Sequence, residues 1–249
     1  DNFFGKFPES EPGPERMENA MAGDQLWKNW RIVSSGYAAV WAKENTREAI
    51  FDAMKRREVY ATTGSRIEVR FFGGWAFEEN DIFSPNYLDR GYSAGVPMGG
   101  DLTEAPKDTA PSFMIAAVKD PNGANLDRLQ VVKGWLDKKG ELREHVYDVA
   151  WSGERELDAE SGKLPGVGNT VDVDSATYAN TIGTASLATV WQDPQFDRKE
   201  RAFYYVRVLE IPVPRWTTYD AAYFDIDTPD DAPDSIQDRA YTSPIWYTP

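Results

Sequence analysis

From Arg66 to Ile211 the chain repeatedly alternates apolar and polar residues, and this period of two is the strongest constraint on its fold. In the segment RIEVRFF, Ile67, Val69 and Phe71 share one side and the charged residues share the other. Similar segments span 112–118, 128–135, 142–151 and 202–211. Turn residues separate several of these segments, and no helical pattern interrupts them. The sequence therefore predicts an antiparallel sandwich rather than alternating strands and helices.

One segment, between residues 46 and 57, has helical rather than strand periodicity. Its apolar stripe consists of Ala49, Ile50, Ala53 and Met54. Asn45 is placed to cap the helix, and Glu48 would complete a capping box with it. The stripe predicts a helix that docks on a sheet or barrel, and a short buried strand with a turn is predicted at 59–64.

The N-terminal part has no such periodicity. Residues 1–16 are rich in Pro, Glu and Gly and start without Met, which favours the C-terminal part of a larger protein. We expect this tail to lie on polypeptide outside the chain or on a neighbouring subunit. Helix-tolerant residues in Met17–Trp30 predict short helices, and Arg31–Trp41 predicts an apolar strand or a buried loop.

Charge and residue usage exclude several kinds of function. The net charge of −14 disfavours a nucleic-acid partner, because an acidic chain repels phosphate backbones. No apolar run reaches the roughly 20 residues that span a bilayer. The single histidine, His145, lies in a predicted strand, and cysteine is absent. Histidine- or thiolate-based metal chemistry is therefore not expected of this chain alone, and any metal would need oxygen ligands.

Two polar motifs are predicted to be ordinary loops. The acidic stretch 225–234 lacks the spacing and central glycine of a calcium-binding EF-hand loop. The stretch 166–170 is glycine-rich but lacks the lysine of a phosphate-binding loop.

Two other features leave a functional reading open. Aromatic residues are frequent at the strand ends 71–77 and 214–219. Three interpretations stay open for them: they line a ligand pocket, they form an interface, or they pack between the layers of the sandwich. Thr62 and Thr63, followed by Arg66, offer two hydroxyls and a guanidinium to an anion. The structural alternative is that the threonines cap a strand and Arg66 pairs with a carboxylate.

Several long strings of the chain resemble a bacterial family of domains of unknown function, number 3604. They are ENTREAIFDAMKRREVYATTGSRIEVRFFGGW (44–75), GVPMGGDL (95–102), LQVVKGWLD (129–137), VYDVAW (146–151) and AFYYVRVLEIPVPRWTTYDA (202–221). That family is similar to the PHP (polymerase and histidinol phosphatase) metal-dependent hydrolases. The closing RAYTSPIWY (239–247) also resembles the ending of PHP-type hydrolases.

The resemblance implies an α+β chain in three parts. Residues 1–64 would be the closing strand and helix segment of a PHP-like barrel, and 65–224 would be an antiparallel β-sandwich-like domain. Residues 225–249 would form an acidic loop and a return segment. The implied protein is bacterial and soluble, with export to the periplasm or medium left open.

The resemblance also implies a metal-dependent hydrolase of the phosphoesterase type. Its divalent ions, of the Zn, Mn or Fe class, would be held upstream of this chain, and the chain alone is expected to bind none. The implied partners are the N-terminal part of the same protein and a small-molecule ester, and a homo-oligomer stays open. The residues predicted to face the substrate are Trp41, Asn45, Thr62, Thr63 and Arg66. The alternative is a non-catalytic β-sandwich module for binding or assembly.

Overall fold

The body of the protein consists of two sheets packed face to face. The computed structural model describes residues 13–18, 20–22, 25–31 and 36–249. In chain order the strands are β1 (Ala20–Ala22), β2 (Gln25–Trp27), β3 (Tyr37–Val40), β4 (Val59–Thr62), β5 (Glu68–Gly74), β6 (Gly95–Pro97), β7 (Asp101–Leu102), β8 (Ser112–Val118), β9 (Leu126–Leu136), β10 (Leu142–Trp151), β11 (Ser186–Gln192), β12 (Ala202–Glu210), β13 (Val213–Pro214), β14 (Ser235–Ile236), β15 (Arg239–Thr242) and β16 (Ile245–Tyr247). The helices are α1 (Arg47–Lys55), α2 (Tyr87–Ala94) and α3 (Trp216–Phe224).

The larger sheet runs in the order β10-β9-β12-β15-β4-β3, and its pairs are antiparallel. At one end of β12, β16 adds to the sheet and pairs in parallel with β7. The smaller sheet is antiparallel and has the order β11-β8-β5-β6. The chain is thus mixed α+β and mostly sheet, and the described residues form no closed barrel.

Apolar side chains from both sheets fill the space between them. The ring of Phe113, from the smaller sheet, lies 4.5 Å from that of Tyr204 in the larger sheet and 5.6 Å from that of Phe71. Ile67, Val69 and Phe71 are all buried, as the alternation in RIEVRFF predicts. Burial of this shared core is what holds the two sheets together.

Two of the strand predictions are confirmed to the residue. The predicted strands at 112–118 and 142–151 coincide with β8 and β10. His145 is exposed on β10, with its ring 4.2 Å from that of Tyr147. Sequence reasoning did not predict β11, although its seven residues pair with the whole of β8.

The N-terminal prediction needs a correction. Met17–Trp30 contains the short hairpin β1–β2 and a 3₁₀ turn at Asn29–Arg31, with no α-helix among its described residues. Antiparallel pairing of the two strands satisfies their backbone groups, and the glycine in this segment disfavours a helix. The prediction for the tail falls largely on residues 1–12, which lie outside the described residues. Arg16 contacts this chain, with its guanidinium 4.6 Å from the centroid of the Trp216 ring.

The helix at 46–57 is confirmed as α1, but its cap is Thr46 rather than Asn45. Thr46 has an extended backbone, and its Oγ1 accepts a hydrogen bond from the Ala49 nitrogen at 3.3 Å. A cap side chain reaches the amide three residues further on, and α1 starts one residue later than the Asn45 cap requires. The predicted capping box of Asn45 with Glu48 is therefore wrong.

The segment predicted to close a PHP-like barrel finds no support in the described residues. Its strands β3 and β4 pair antiparallel, and β4 continues into the larger sheet through β15. Strands that close an αβ barrel run parallel, so this pairing belongs to the sandwich. The return segment 225–249 is also part of the sandwich, since β15 lies between β12 and β4.

Candidate functional site

Six chain segments meet at the end of the sandwich where β4 and β12 finish. The hydroxyl of Thr63 donates to Asp238 Oδ1 at 2.6 Å, and the Arg66 nitrogen donates to Asp120 Oδ2 at 2.8 Å. The Glu210 nitrogen donates to the Asp238 carbonyl at 2.9 Å. We call Thr63, Ser65, Arg66, Asp120, Tyr178, Glu210, Tyr219 and Asp238 the loop-end cluster. Loops at the ends of β-sandwiches are frequent binding sites, because the sheets hold them in fixed relative positions.

Glu210 is the buried carboxyl of this cluster. Its residue is 1% exposed, and its Oε1 has no hydrogen-bond partner among the described residues. Burial raises the pKa of Glu210 to about 7, and the charges of Asp238 and Asp120 add to the rise, whereas the Ser65 hydroxyl and Lys119 oppose it. A carboxyl with this pKa exchanges its proton near neutral pH, which suits acid–base chemistry or the binding of a charged ligand.

The raised pKa of Glu210 predicts a specific pH dependence of stability. Its ordinary value is 4.5, so the folded state favours the neutral carboxyl. The resulting stability is fully present below pH 4.5 and is lost as the pH rises through about 7. Relative to Glu210→Gln, the wild type should lose up to about 3 kcal/mol of unfolding free energy over this range.

Urea unfolding of wild type and Glu210→Gln at several pH values between 4.5 and 8 measures this difference. Glu144→Gln is the matched control, because Glu144 is exposed on β10, and it should follow the wild type at every pH. A constant difference between wild type and Glu210→Gln across the range would contradict the raised pKa.

The charges of the carboxyl groups in the loop-end cluster also affect two tyrosines, Tyr178 and Tyr219. Burial raises the pKa of Tyr178, and the charges of Tyr219, Glu210, Asp120 and Asp238 raise it further. Burial also raises the pKa of Tyr219, followed by the effect of Asp238. Both hydroxyls therefore stay protonated at physiological pH and present O–H groups beside the carboxyls.

The five predicted site residues do not form one group. Thr63 and Arg66 belong to the loop-end cluster. Thr62 is buried beside it, and its Oγ1 has no hydrogen-bond partner among the described residues. Trp41 lies at the other end of β4, where its nitrogen donates to the Glu58 carbonyl at 3.0 Å. The length of β4 separates the two sets by roughly 10 Å. Asn45 is exposed just before α1.

The predicted anion contact at Thr63 and Arg66 stays a prediction, and the surrounding charges oppose it. The Thr63 hydroxyl already donates to a carboxylate, and the backbone of Arg66 donates to another. An incoming anion would meet Asp120, Glu210 and Asp238, whose like charges repel it. The loop-end cluster therefore favours a neutral or cationic ligand.

Trp41 takes part in a second polar group beside α1. The Arg70 guanidinium stacks 3.2 Å from the centroid of the Trp41 ring and donates to the Tyr92 hydroxyl at 3.2 Å. That hydroxyl donates in turn to Glu58, which is 3% exposed. Burial raises the pKa of Tyr92 to about 12, with the bond to Glu58 as the second cause. The stacked, paired Arg70 is a fixed cation at this end of β4.

Helix α1 presents apolar side chains away from the sandwich. Ala53 is buried against the chain, but Phe51 and Met54 are 64% and 57% exposed. With Ile50, Arg47 and Glu48 they line an open groove along the helix. Next to α1 lies β3, whose outer edge has no partner strand among the described residues. We call Ile50, Phe51, Met54 and the free edge of β3 the helix–edge surface.

Sequence reasoning missed Glu210, Asp238 and Asp120 as candidate site residues. A signal for Glu210 was present, because it occupies the inward-facing position of the alternation in YVRVLEI, where Val206 and Val208 precede it. A charged residue at a core position is rare unless it is paired or functional. No comparable signal marked Asp238, which is contacted by a residue 175 positions away in the chain.

The donor side chains do not form a metal site in the part of the chain that the structure describes. There, no group of three or more His, Cys, Asp or Glu side chains could hold a metal ion. The described helices also include none that is long and apolar enough to cross a membrane.

Comparison with known proteins identifies a family but no activity. A family model described as "Protein of unknown function (DUF3604)" matches residues 1–249. Neither a curated protein nor a solved structure matches the chain. The family predicted from the long sequence strings is thereby confirmed.

Proposed function

We propose that this chain, which belongs to the DUF3604 family, is the β-sandwich part of a metal-dependent hydrolase of the PHP type. In this proposal it joins the metal-binding part of the enzyme through the helix–edge surface and supplies a wall of the substrate site. The observation that carries the proposal is the exposure of the apolar residues Phe51 and Met54 on α1. The kind of chemistry comes from the resemblance of the long strings and of RAYTSPIWY to PHP-type hydrolases.

The exposed side chains of α1 favour a second body packed against it. A surface helix normally turns one apolar stripe to its own core and a polar face to water. On α1, Ala53 faces the sandwich while Phe51 and Met54 face outward. Burying a side chain of this kind contributes about 1.5–3 kcal/mol. A partner that covers Phe51 and Met54 would therefore gain substantial binding free energy.

The free edge of β3 adds a directional contact to this surface. Its outer backbone groups can pair with an incoming strand, and its Tyr37 is 57% exposed. A partner that both covers Phe51 and extends the sheet at β3 would be fixed in position as well as bound. A domain that supplies part of an active site has to be held in such a fixed position relative to the rest of the site.

The metal ligands would be supplied by the other part of the enzyme. One histidine, no cysteine and the lack of a ligand group among the described residues do not fit a metal centre on this chain. Its own contribution would come from the Trp41 side of β4, next to α1. There the stacked Arg70 offers a fixed positive charge to an anionic ester, and Asn45 is exposed just before α1.

The test is to disrupt the helix–edge surface in the natural protein that carries this chain. Phe51→Asp combined with Met54→Asp should lower kcat/KM for a nitrophenyl phosphate ester with manganese by at least about tenfold. The reason is that two carboxylates would be buried at the interface. The unfolding of the sandwich itself should stay unchanged, because both side chains are already exposed.

Leu142→Asp is the matched control, because Leu142 is 86% exposed on β10, at the opposite edge of the same sheet. It should retain wild-type activity. Full hydrolysis by the Phe51→Asp, Met54→Asp protein would reject the docking role and favour the alternative, a β-sandwich module that binds a ligand without taking part in hydrolysis.

A further inference from the structure

We propose that Arg70 is the anion receptor of this chain and that it holds two oxygens of one oxyanion group, a phosphate or a carboxylate, at the same time. The inference deepens the proposed function and rests on it for the view that this group belongs to an ester substrate. Binding of the anion itself is measured without hydrolysis, so the two proposals can fail separately.

The guanidinium of Arg70 is held in place from two directions. Its Cζ lies 3.2 Å from the centroid of the Trp41 ring, and its Nη1 donates to the Tyr92 hydroxyl at 3.2 Å. Trp41 is itself fixed, because its indole Nε1 donates to the Val69 carbonyl at 2.9 Å. Stacking and a hydrogen bond therefore leave the planar group little freedom to rotate.

Two donors of this held group remain unused. Nε and Nη2 of Arg70 make no hydrogen bond or ion pair among the described residues, and neither is buried. They lie on one edge of the guanidinium plane, and such an edge pairs side by side with two oxygens of a carboxylate or a phosphate. Because the fold already fixes the side chain, little conformational entropy is lost when an anion binds.

Neighbouring carboxylates do not occupy this edge. Both oxygens of Glu58 are engaged, since Oε1 accepts from Tyr92 and Oε2 accepts from Arg56 at 3.3 Å. Arg56 also balances the charge of Glu58. Glu68, two residues before Arg70 on β5, is exposed and forms no ion pair with it in the part of the chain that the structure describes. Arg70 therefore keeps a positive charge that attracts an anion.

Glu58 and Tyr92 act as positioning residues in this inference. Glu58 is 3% exposed, and the hydroxyl of Tyr92 links it to Arg70. The ring of Tyr92 is fixed in turn, because it lies edge-on to the buried ring of Phe72 with 5.0 Å between the centroids. Removing the hydroxyl alone would release Arg70 and leave the ring packed.

An NMR titration of the whole chain, isotope-labelled in its tryptophan side chains, tests the proposal at constant ionic strength. The probes are methylphosphonate and acetate, and bromide is the control anion without oxygens. The indole N–H signal of Trp41, assigned with Trp41→Phe, should shift saturably with at least one oxyanion, because the anion binds to the guanidinium that covers this ring. The probe that binds more tightly identifies the group. Bromide should bind at least about tenfold more weakly, since it cannot accept two parallel hydrogen bonds.

Three variants separate the paired donors from charge alone. Arg70→Lys keeps the charge but loses the edge with two donors, so it should weaken binding of the oxyanion by at least about tenfold. Tyr92→Phe should weaken it by about threefold to tenfold, because the anchor of Nη1 is lost. Arg143→Lys is the matched control, because Nε and Nη2 of Arg143 already donate to carboxylates on the exposed β10, and it should bind as the wild type does.

Two results would overturn the inference. One is the absence of a saturable shift of the Trp41 signal with either oxyanion up to about 50 mM in the wild type. The other is equal affinity in Arg70→Lys and the wild type. Neither result touches the proposed function, which is tested by hydrolysis in the Phe51→Asp, Met54→Asp protein. Binding that depends on Arg70, together with full hydrolysis by that protein, would support the anion receptor and reject the docking role.

Discussion

Replacing Asp193 by alanine is expected to lower the free energy of unfolding by about 3–5 kcal/mol. The Asp193 side chain is fully buried, and its Oδ2 lies 2.7 Å from Lys133 Nζ and accepts the Tyr204 hydroxyl at 2.7 Å. Alanine would leave the Lys133 ammonium, itself 2% exposed, without its counter-charge between the sheets. Tyr204, whose ring contacts that of Phe113 at 4.5 Å, would lose its hydroxyl partner at the same time.

Denaturant unfolding of Asp193→Ala measures this loss, and Asp101→Ala is its control. Asp101 pairs with Arg57 at the same N–O distance of 2.7 Å, but both side chains are more than half exposed. An exposed pair contributes about 0–1 kcal/mol, because water screens the charges. If the two variants lose similar stability, the buried pair does not organise the core as we infer.

A double variant separates the lost charge from the lost volume. Lys133→Met together with Asp193→Asn removes both charges and leaves an acceptor for Tyr204. Replacing both members of a buried pair is far less costly than removing one, so this protein should regain at least about 2 kcal/mol over Asp193→Ala. No recovery would mean that packing, and not charge, explains the single variant.

Replacing Asp127 by alanine should cost a similar amount, about 3–5 kcal/mol, and should also loosen the loop after β10. The Asp127 carboxylate is 1% exposed and accepts from Arg155 at 2.7 Å, Arg128 at 3.0 Å and Gln237 at 3.1 Å. Both arginines donate in turn to the Pro165 carbonyl, at 2.9 and 2.8 Å. Without Asp127, Arg155 would be left partly buried without its carboxylate partner, and Arg128 would keep only its pair with Asp148 at 3.3 Å.

Urea unfolding and limited proteolysis of the 152–168 loop measure the two effects of Asp127→Ala. Asp127→Asn keeps the shape and one acceptor, so it should fall between wild type and alanine. Glu156→Ala, in the same loop but exposed, should behave as the wild type in both measurements. Unchanged proteolysis in Asp127→Ala would show that the loop is held by other contacts.

The strands were predictable because their signal is local. Alternation is clearest in β12, where every second side chain enters the core, and the bounds of β8 and β10 were also predicted to the residue. The helix α1 was also predicted from its local pattern, but its cap is displaced by one residue and Met54 of the predicted docking stripe is exposed. The order of the strands was not predictable, because β15 enters between β12 and β4 from the C-terminal segment.

The candidate site, like the strand order, could be predicted only in part from local sequence patterns. Thr62, Thr63 and Arg66 were chosen from neighbouring residue types, and the structure places Thr63 and Arg66 in the loop-end cluster. Trp41 was chosen with them but lies across the length of β4. The alternation marks Glu210 as a charged residue at an inward-facing position, but the groups that shift its pKa could not be predicted, because they come from three other segments.

By itself, the sequence determined that this protein is a β-rich chain with one amphipathic helix, a strong acidic charge and membership of one family. Those properties follow from short-range periodicity, residue counts and long matching strings. Tertiary structure alone decided which carboxyls meet, which pairs are buried and which face of α1 stays uncovered. The physical reason is that burial, and with it the pKa of Glu210 and the energy of the Lys133–Asp193 pair, depends on residues far apart in the chain that pack together only in the folded state.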